Sequence, residues 1–200
     1  AGATLEVGRL TEADAAARLV ATGFARSTFL CGQSGSGKTY SLGVVLEQLL
    51  LNTELRVVVI DPNSDFVRLR EARADVDPAL AGRLAELAPS ILVRRPTAAG
   101  DDRLRLRFPE LDGAAYAGVL QLDPIRDSDE YDELLRAVDE GPGSAAFEAL
   151  ASGEVTSVSD GLDRLLRRVR NLGVDRFGIW ARNQAGTVLE DLDRDDWRCL

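Results

Sequence analysis

The chain contains no histidine and no methionine, a single lysine and two cysteines. It also has no apolar stretch approaching the roughly 18 to 20 residues that a membrane-spanning helix requires. Without histidine there is no imidazole base, no Ser-His-Asp triad and no His-ligated zinc among these residues, which removes most hydrolase chemistries. Two cysteines cannot build a disulfide framework. Cys31 and Cys199 each lie in an apolar run, where a small buried hydrophobe of a reduced cytosolic protein belongs, and both are read as structural. With no spanning stretch, and no basic region followed by an apolar core at the amino end, the expectation is a cytoplasmic protein with no membrane partner. The absence of methionine, even at position 1, leads to the expectation that the chain is a piece of a longer protein.

What is present is an ordinary globular composition, 45% hydrophobic and 28% charged over 200 residues, which excludes disorder and fits one domain or a domain with an inserted subdomain. The net charge of −9 is unevenly placed: residues 1–100 carry 11 acidic and 11 basic side chains, residues 101–200 carry 22 and 13. A nucleic acid partner would therefore have to meet a local basic patch rather than the whole surface. Of the 24 basic residues 23 are arginine, and the exception is Lys38.

Residues 4–10 read as a strand, and Thr11, Glu12 and Asp14 as the start of a helix to about Ala21 that Gly23 ends. Residues 27–31 (STFLC) read as a buried strand, 32–37 as a Gly/Ser loop, and 38–51 as a helix apolar on nearly all sides and hence packed inside. The β-branched run at 56–60 (RVVVI), ending in Asp61-Pro62-Asn63, has the form of a central parallel strand followed by a turn. The short βαβ crossover predicts an α/β fold, a three-layer sandwich with the loop at the carboxyl edge of a parallel sheet.

Further helices are expected near 66–73 and 78–87, and a hairpin from 91–95 and 103–108 with Arg103, Arg105 and Arg107 on a solvent face. A largely helical insertion should follow, including 129–138, 145–151 and 157–172, with breaks at Gly141-Pro142-Gly143 and Ser152-Gly153. Residues 177–181 and 197–200 are strand-like again. The division expected is a lead-in at 1–25, a phosphate-loop core at 26–66, an insertion at 67–174 and a return to the core sheet at 175–200.

Gly32-Gln33-Ser34-Gly35-Ser36-Gly37-Lys38-Thr39 fits G-x-x-x-x-G-K-[ST] between a predicted strand and a predicted helix. The glycines let backbone N–H groups point inward and the helix amino end adds partial positive charge, so phosphate oxygens find donors there. Lys38 would reach the β- and γ-phosphates, the Thr39 hydroxyl would supply a Mg²⁺ ligand, and Tyr40 follows in the first helical turn. The opposing reading is a Gly/Ser turn that binds nothing. A chance match in a chain of this size is on the order of one in a hundred. A planar guanidinium cannot replace the compact ammonium the loop wraps, which accounts for the lone lysine.

The run 31–39 (CGQSGSGKT), the apolar helix after it and 57–66 (VVVIDPNSDF) together resemble the HerA/FtsK superfamily of hexameric ATPases, which includes DNA translocases and helicases. HerA-type members end a similar strand in Asp-Pro-x-Gly-Glu-Tyr, and the residues here are Asp61, Pro62, Asn63, Ser64, Asp65 and Phe66. The resemblance implies a RecA/ASCE-like P-loop NTPase core, ATP or ADP with Mg²⁺ as cofactors, a hexameric ring and a helicase or translocase activity with DNA as partner. It also implies that the Walker-B Asp-Glu pair comes later than Asp61, so that residues 1–200 alone are expected to be inactive.

Three roles stand open for Asp61. Its spacing permits direct Mg²⁺ binding, the resemblance favours Asp61 and Asp65 as residues at the edge of the active site, and a plain turn cap is the third. Arg164, Arg167, Arg168 and Arg170 offer a basic helical patch to DNA or a neighbouring subunit. Asp160 and Asp163 stand four residues before Arg164 and Arg167, the spacing of ordinary surface ion pairs. Neither 127–133 nor Asp191, Asp193 and Asp195 completes a calcium loop. Two other functions compete with the motor: a small-molecule P-loop kinase with Asp61 as metal carboxylate and the insertion as lid, and a scaffold that binds ATP without turning it over. The acidic insertion at 123–140 fits poorly with a kinase lid, which usually brings arginines to the phosphates.

Overall fold

The computed structural model describes residues 2–152, 159–181 and 186–200. Gly153 and Ser157, which served above as element boundaries, lie outside the described residues. The chain divides into two compact units, residues 1–94 with 192–200, and residues 95–191. No helix of the described residues is long and apolar enough to cross a membrane.

The first unit opens with an antiparallel pair, β1 (Thr4–Arg9) and β2 (Ala16–Val20), in which Leu5 faces Leu19 and Arg9 faces Ala16. The helix expected to Ala21 is thus a strand. The alanines favour a helix locally, but pairing with β1 and a turn closed by Leu10 N–H to Ala15 O at 2.8 Å override that preference. Gly23 falls inside a short 3₁₀ turn, Ala21–Ala25. The pair packs on α1 (Lys38–Asn52) through Leu5, Ala21 and Leu49, with Val7, Phe24 and Val45 around them. At its carboxyl end α1 is held by two arginines: Arg83 donates to Leu51 O at 2.7 Å, and Arg198 to the carbonyls of Leu50, Thr53 and Leu55. Cations there complement the helix dipole. Two cores meet on α1, since Leu50 joins Ile91 and Cys199 in a second cluster flanked by Val57, Val59, Leu69 and Leu87.

The expected three-layer parallel sheet is not formed among the described residues; the one regular sheet is β1–β2. Residues 27–31 are irregular, with Phe29 90% exposed and Cys31 exposed, because no neighbouring segment pairs with either edge. Cys31 is therefore not the buried residue expected, whereas Cys199 is buried. A partial parallel ladder does exist: Val57 and Ile91 both bridge Cys199, with Val59 N–H donating to Leu200 O at 2.7 Å and Leu92 N–H to Cys199 O at 2.8 Å. The strand-like runs at 56–60 and 197–200 meet here, too short in pairing to count as full strands.

Two other expectations fail for local reasons. Residues 66–73 form successive turns, closed by Leu69 N–H to Phe66 O and Glu71 N–H to Arg68 O at 2.9 Å each, instead of a helix. The helix α1 is apolar all round but buries only Leu46, Leu49 and Leu50, while Tyr40 and Leu42 are exposed, as the sheet that would cover its first turns is not assembled. By contrast α2 (Pro78–Leu87) matches its expected bounds, with Asp77 Oδ1 accepting from Ala79 and Leu80 N–H and proline in the first turn.

The second unit is helical: α3 (Gly113–Val119), α4 (Ser128–Glu140), α5 (Ala145–Ser152) and α6 (Asp160–Leu172), with α7 (Val188–Asp193) running across the unit boundary. Leu134, Ala137, Leu165, Leu166 and Val169 fill its centre. The Phe108 ring meets Tyr116 at 4.5 Å, Trp180 at 5.6 Å and Phe147 at 5.9 Å. The buried Tyr116 hydroxyl donates to Phe108 O, and burial raises its pKa. Gly173 ends α6 in the left-handed conformation, and Ser159 caps its start.

The hairpin expected from 91–95 and 103–108 does not form. Arg95 and Arg103 make one parallel bridge, and Leu106 instead pairs with the 179–181 segment, which stays in this unit rather than returning to a core sheet. Nor is the arginine row a free solvent face. Arg103 donates to Gly178 O at 2.7 Å, Arg105 to Gly100 O at 2.8 Å, and Arg107 joins Glu110 at 2.9 Å to Glu190 at 2.5 Å. Thr187 and Glu190 form a reciprocal cap on α7, Thr187 N–H donating to Glu190 Oε2 at 3.2 Å and Glu190 N–H to Thr187 Oγ1 at 3.4 Å.

Leu165→Ala, at a fully buried position in the helical unit, should cost about 2 to 5 kcal/mol in denaturant unfolding. Leu135→Ala, at a position 38% exposed, should cost under about 1 kcal/mol. A maleimide at pH 8 should label one thiol of the native protein, Cys31, because Cys199 is buried and its thiol is pushed up to about 11. Mass mapping of the labelled peptides distinguishes the two sites.

Candidate nucleotide site

The loop at 32–37 is shaped by its glycines. Gly35 (φ 77°) and Gly37 (φ 84°) both take the left-handed conformation, and Gly37 is the residue from which α1 begins. Gly32 has a different reason: a Cβ there would lie 2.6 Å from Ser36 Oγ and 3.2 Å from Lys38 Cγ, so the Ser36 and Lys38 side chains would have to move to admit it. That close approach is not visible from the motif spacing. The Gln33 carbonyl closes the loop by accepting from Ser36 N–H at 3.2 Å and from Lys38 Nζ at 2.6 Å. The ammonium is thus folded back over the loop. Ser34 lies in the turn, and Thr39 and Tyr40 follow exposed in the first turn of α1.

The amino end of α1 is chemically unlike those of α2, α3 and α6. These are capped by Asp77, Asp112 and Ser159, whereas α1 has no side-chain cap and no acid in its first turn. Its first N–H groups and the positive end of its dipole remain available to an anion.

Asp61 sits at the end of the 57–60 segment with both carboxylate oxygens engaged. Oδ1 accepts from Asp65 N–H at 3.0 Å and Oδ2 from Phe66 N–H at 2.8 Å. This is the hydrogen-bonding pattern of a turn cap. Asp65 is exposed. A Cβ on Gly43 of α1 would lie 3.8 Å from Phe66 Cε1, so the turn after Asp61 rests on the helix that carries Lys38.

Three of the four arginines in the basic patch on α6 meet carboxylates. Arg164 meets Asp129 at 2.7 Å and Glu130 at 3.4 Å, Arg167 meets Asp163 at 3.0 Å, and Arg168 meets Asp127 at 2.8 Å. Only the Asp163–Arg167 pair follows the expected four-residue spacing. Arg164 reaches across to α4, a contact that sequence alone does not give. The N–H of Asp123, with Arg168 beside it, holds Asp127 below the usual carboxylate range. Among the described residues no group of three or more side chains is arranged to hold a metal by itself. A Mg²⁺ ion that arrives with a nucleotide takes only one or two protein ligands, and Thr39 at the start of α1 fits that demand.

A model of the HerA helicase central domain matches residues 5–168, most of the chain and all of the glycine loop. The chain belongs to this family. HerA helicases are ATPases, so membership implies nucleotide binding. No curated protein and no solved structure matches the chain significantly.

Gly37→Ala tests the loop conformation. Its Cβ would meet nothing within 4 Å, so the cost is conformational alone, about 1 to 2 kcal/mol for a non-glycine residue held at positive φ. Denaturant unfolding of this variant beside Gly82→Ala should show a loss for Gly37 and none for Gly82, which lies inside α2.

Proposed function

We propose that the protein is the ATP-binding part of a HerA/FtsK-like motor of the DNA translocase or helicase type. Mg-ATP sits on Gly32, Gln33, Ser34, Gly35, Ser36, Gly37, Lys38, Thr39 and Tyr40. The observation that carries this is the uncapped amino end of α1 with Lys38 folded over a two-glycine left-handed loop. A phosphate group would accept the free N–H groups of that first turn and draw Lys38 Nζ away from the Gln33 carbonyl. Thr39 would hold Mg²⁺, which when bound neutralises charge between the β- and γ-phosphates. Tyr40 would contribute through its backbone and its exposed ring.

The parallel register of 57–59, 91–92 and 199–200 supports a RecA/ASCE-like parallel-sheet core as part of this reading. A hexameric ring and DNA as the translocated partner follow from the same proposal. Asp61 and Asp65 stand at the edge of the site. A small-molecule kinase reading would need Asp61 as a metal carboxylate and the insertion as a lid, and the insertion's α4 is acidic where such a lid brings arginines to the phosphates. Three of the four α6 arginines, Arg164, Arg167 and Arg168, are already matched by acids.

Calorimetric titration with Mg-ADP and with Mg-ATP is the direct test. Lys38→Ala should lower affinity at least 100-fold, since the phosphate charge would lose its compact cation. Lys38→Arg should recover little of it, because a planar fork does not fit a loop that wraps an ammonium. Equal affinity of wild type and Lys38→Ala would overturn the reading.

A further inference from the structure

We propose that the Asp61 carboxylate is a positioning group. By holding the N–H groups of Asp65 and Phe66 it fixes the 61–66 turn and seats the Phe66 ring beside Gly43 of the phosphate-loop helix. The functional half of this rests on the nucleotide reading above; the geometric half does not.

A carboxylate accepting two backbone N–H groups, one on each oxygen, is a charge-assisted clamp and stronger than a neutral turn bond. The clamp has something to hold. Ser64 is a non-glycine residue at φ 62°, and such a residue favours leaving the left-handed conformation unless its neighbours forbid it. Ser64 N–H reaches only Asp61 O, at 3.3 Å. From Phe66 the chain continues through a turn closed by Leu69, whose side chain packs on the Leu50, Ile91 and Cys199 cluster. The turn is therefore anchored at its far end to the same helix, and Asp61 fixes its near end.

Gly43 lies five residues beyond Lys38, about 7.5 Å along the helix axis. A Cβ at Gly43 would stand in ordinary van der Waals contact with the Phe66 ring, 3.8 Å from Cε1, which places that ring against this turn of α1. Each oxygen accepts one N–H, and those two bonds are what fix the turn. Asp61 thus acts on the nucleotide site through Phe66 and α1.

Two measurements on the same variants test this: amide hydrogen exchange at Asp65 and Phe66, and ADP affinity with Mg²⁺ and with EDTA. In Asp61→Ala both amides should lose at least 10-fold in protection, with the amides of α6 unchanged as the check on folding. ADP affinity should fall several-fold by the same factor with and without Mg²⁺. Phe66→Ala should give the same metal-independent loss, and the double variant no more than either single one. Asp61→Asn keeps one acceptor oxygen and should restore part of both the protection and the affinity. A loss confined to Mg-ADP, with Asp65 and Phe66 exchanging as in wild type, would make Asp61 a metal ligand and overturn the proposal. If wild type binds no ADP at all, the nucleotide reading fails, and unchanged amide exchange in Asp61→Ala would still overturn the clamp on its own.

Discussion

The unsatisfied amino end of α1 is the constraint around which the first unit is organised. A helix of 15 residues concentrates partial positive charge and unpaired N–H groups at its start, and α2, α3 and α6 cover those groups with a capping side chain whereas α1 does not. Here a glycine loop occupies the place of a cap, and the only lysine of the chain bends back onto a carbonyl of that loop. The opposite end of the same helix is treated in the reverse way, with Arg83 and Arg198 placed on its last carbonyls. Cations stabilise one terminus while the other is left open.

The helical unit shows the other solution. Its interior is a continuous apolar cluster, and its polar surface is stitched by short carboxylate–arginine contacts between α4 and α6. These exposed pairs contribute little energy individually, so the buried leucines and the aromatic group around Phe108 hold the unit together. Arginines that look available in the sequence are engaged in this stitching or, for Arg103 and Arg105, in reaching backbone carbonyls. An arginine-rich surface is in this way compatible with a net acidic chain that carries no basic face there.

Legibility in the sequence followed the range of the interactions. The glycine loop, α1, α2 and the insertion helices are set by neighbours within four residues and by breaks such as Gly141, and their extents were readable, while the caps Asp77 and Ser159 emerged only in the fold. β2 was misread because its alanines favour a helix until β1 supplies a partner that no local pattern announces. The segments at 27–31 and 56–60 carry the apolar run of buried strands, yet a parallel strand exists only when both flanks are supplied. The second finds Cys199 and Leu200 and the first finds nothing among the described residues. In the site, the residue types were legible and the contacts were not. Spacing places Asp61 near a phosphate loop, but only coordinates reveal where its oxygens point.

Asp61 also shows why a motif and a role are separate inferences. An acidic residue at the end of an apolar strand beside a phosphate loop satisfies the pattern for a metal ligand, and the same residue followed by proline and asparagine satisfies the pattern for a turn cap. The two demand different things of the carboxylate. A metal ligand must face the phosphates, whereas a cap must turn toward the N–H groups three to five residues ahead. The observed bonds, at 3.0 and 2.8 Å to residues four and five positions on, meet the second demand. With the carboxylate turned inward, the turn becomes a fixed block resting on α1 at Gly43, and the geometry of the phosphate loop and that of the turn are tied through one helix. The acid that the sequence pattern sets after an apolar strand is thus tied, through the turn it caps, to the helix that carries Lys38.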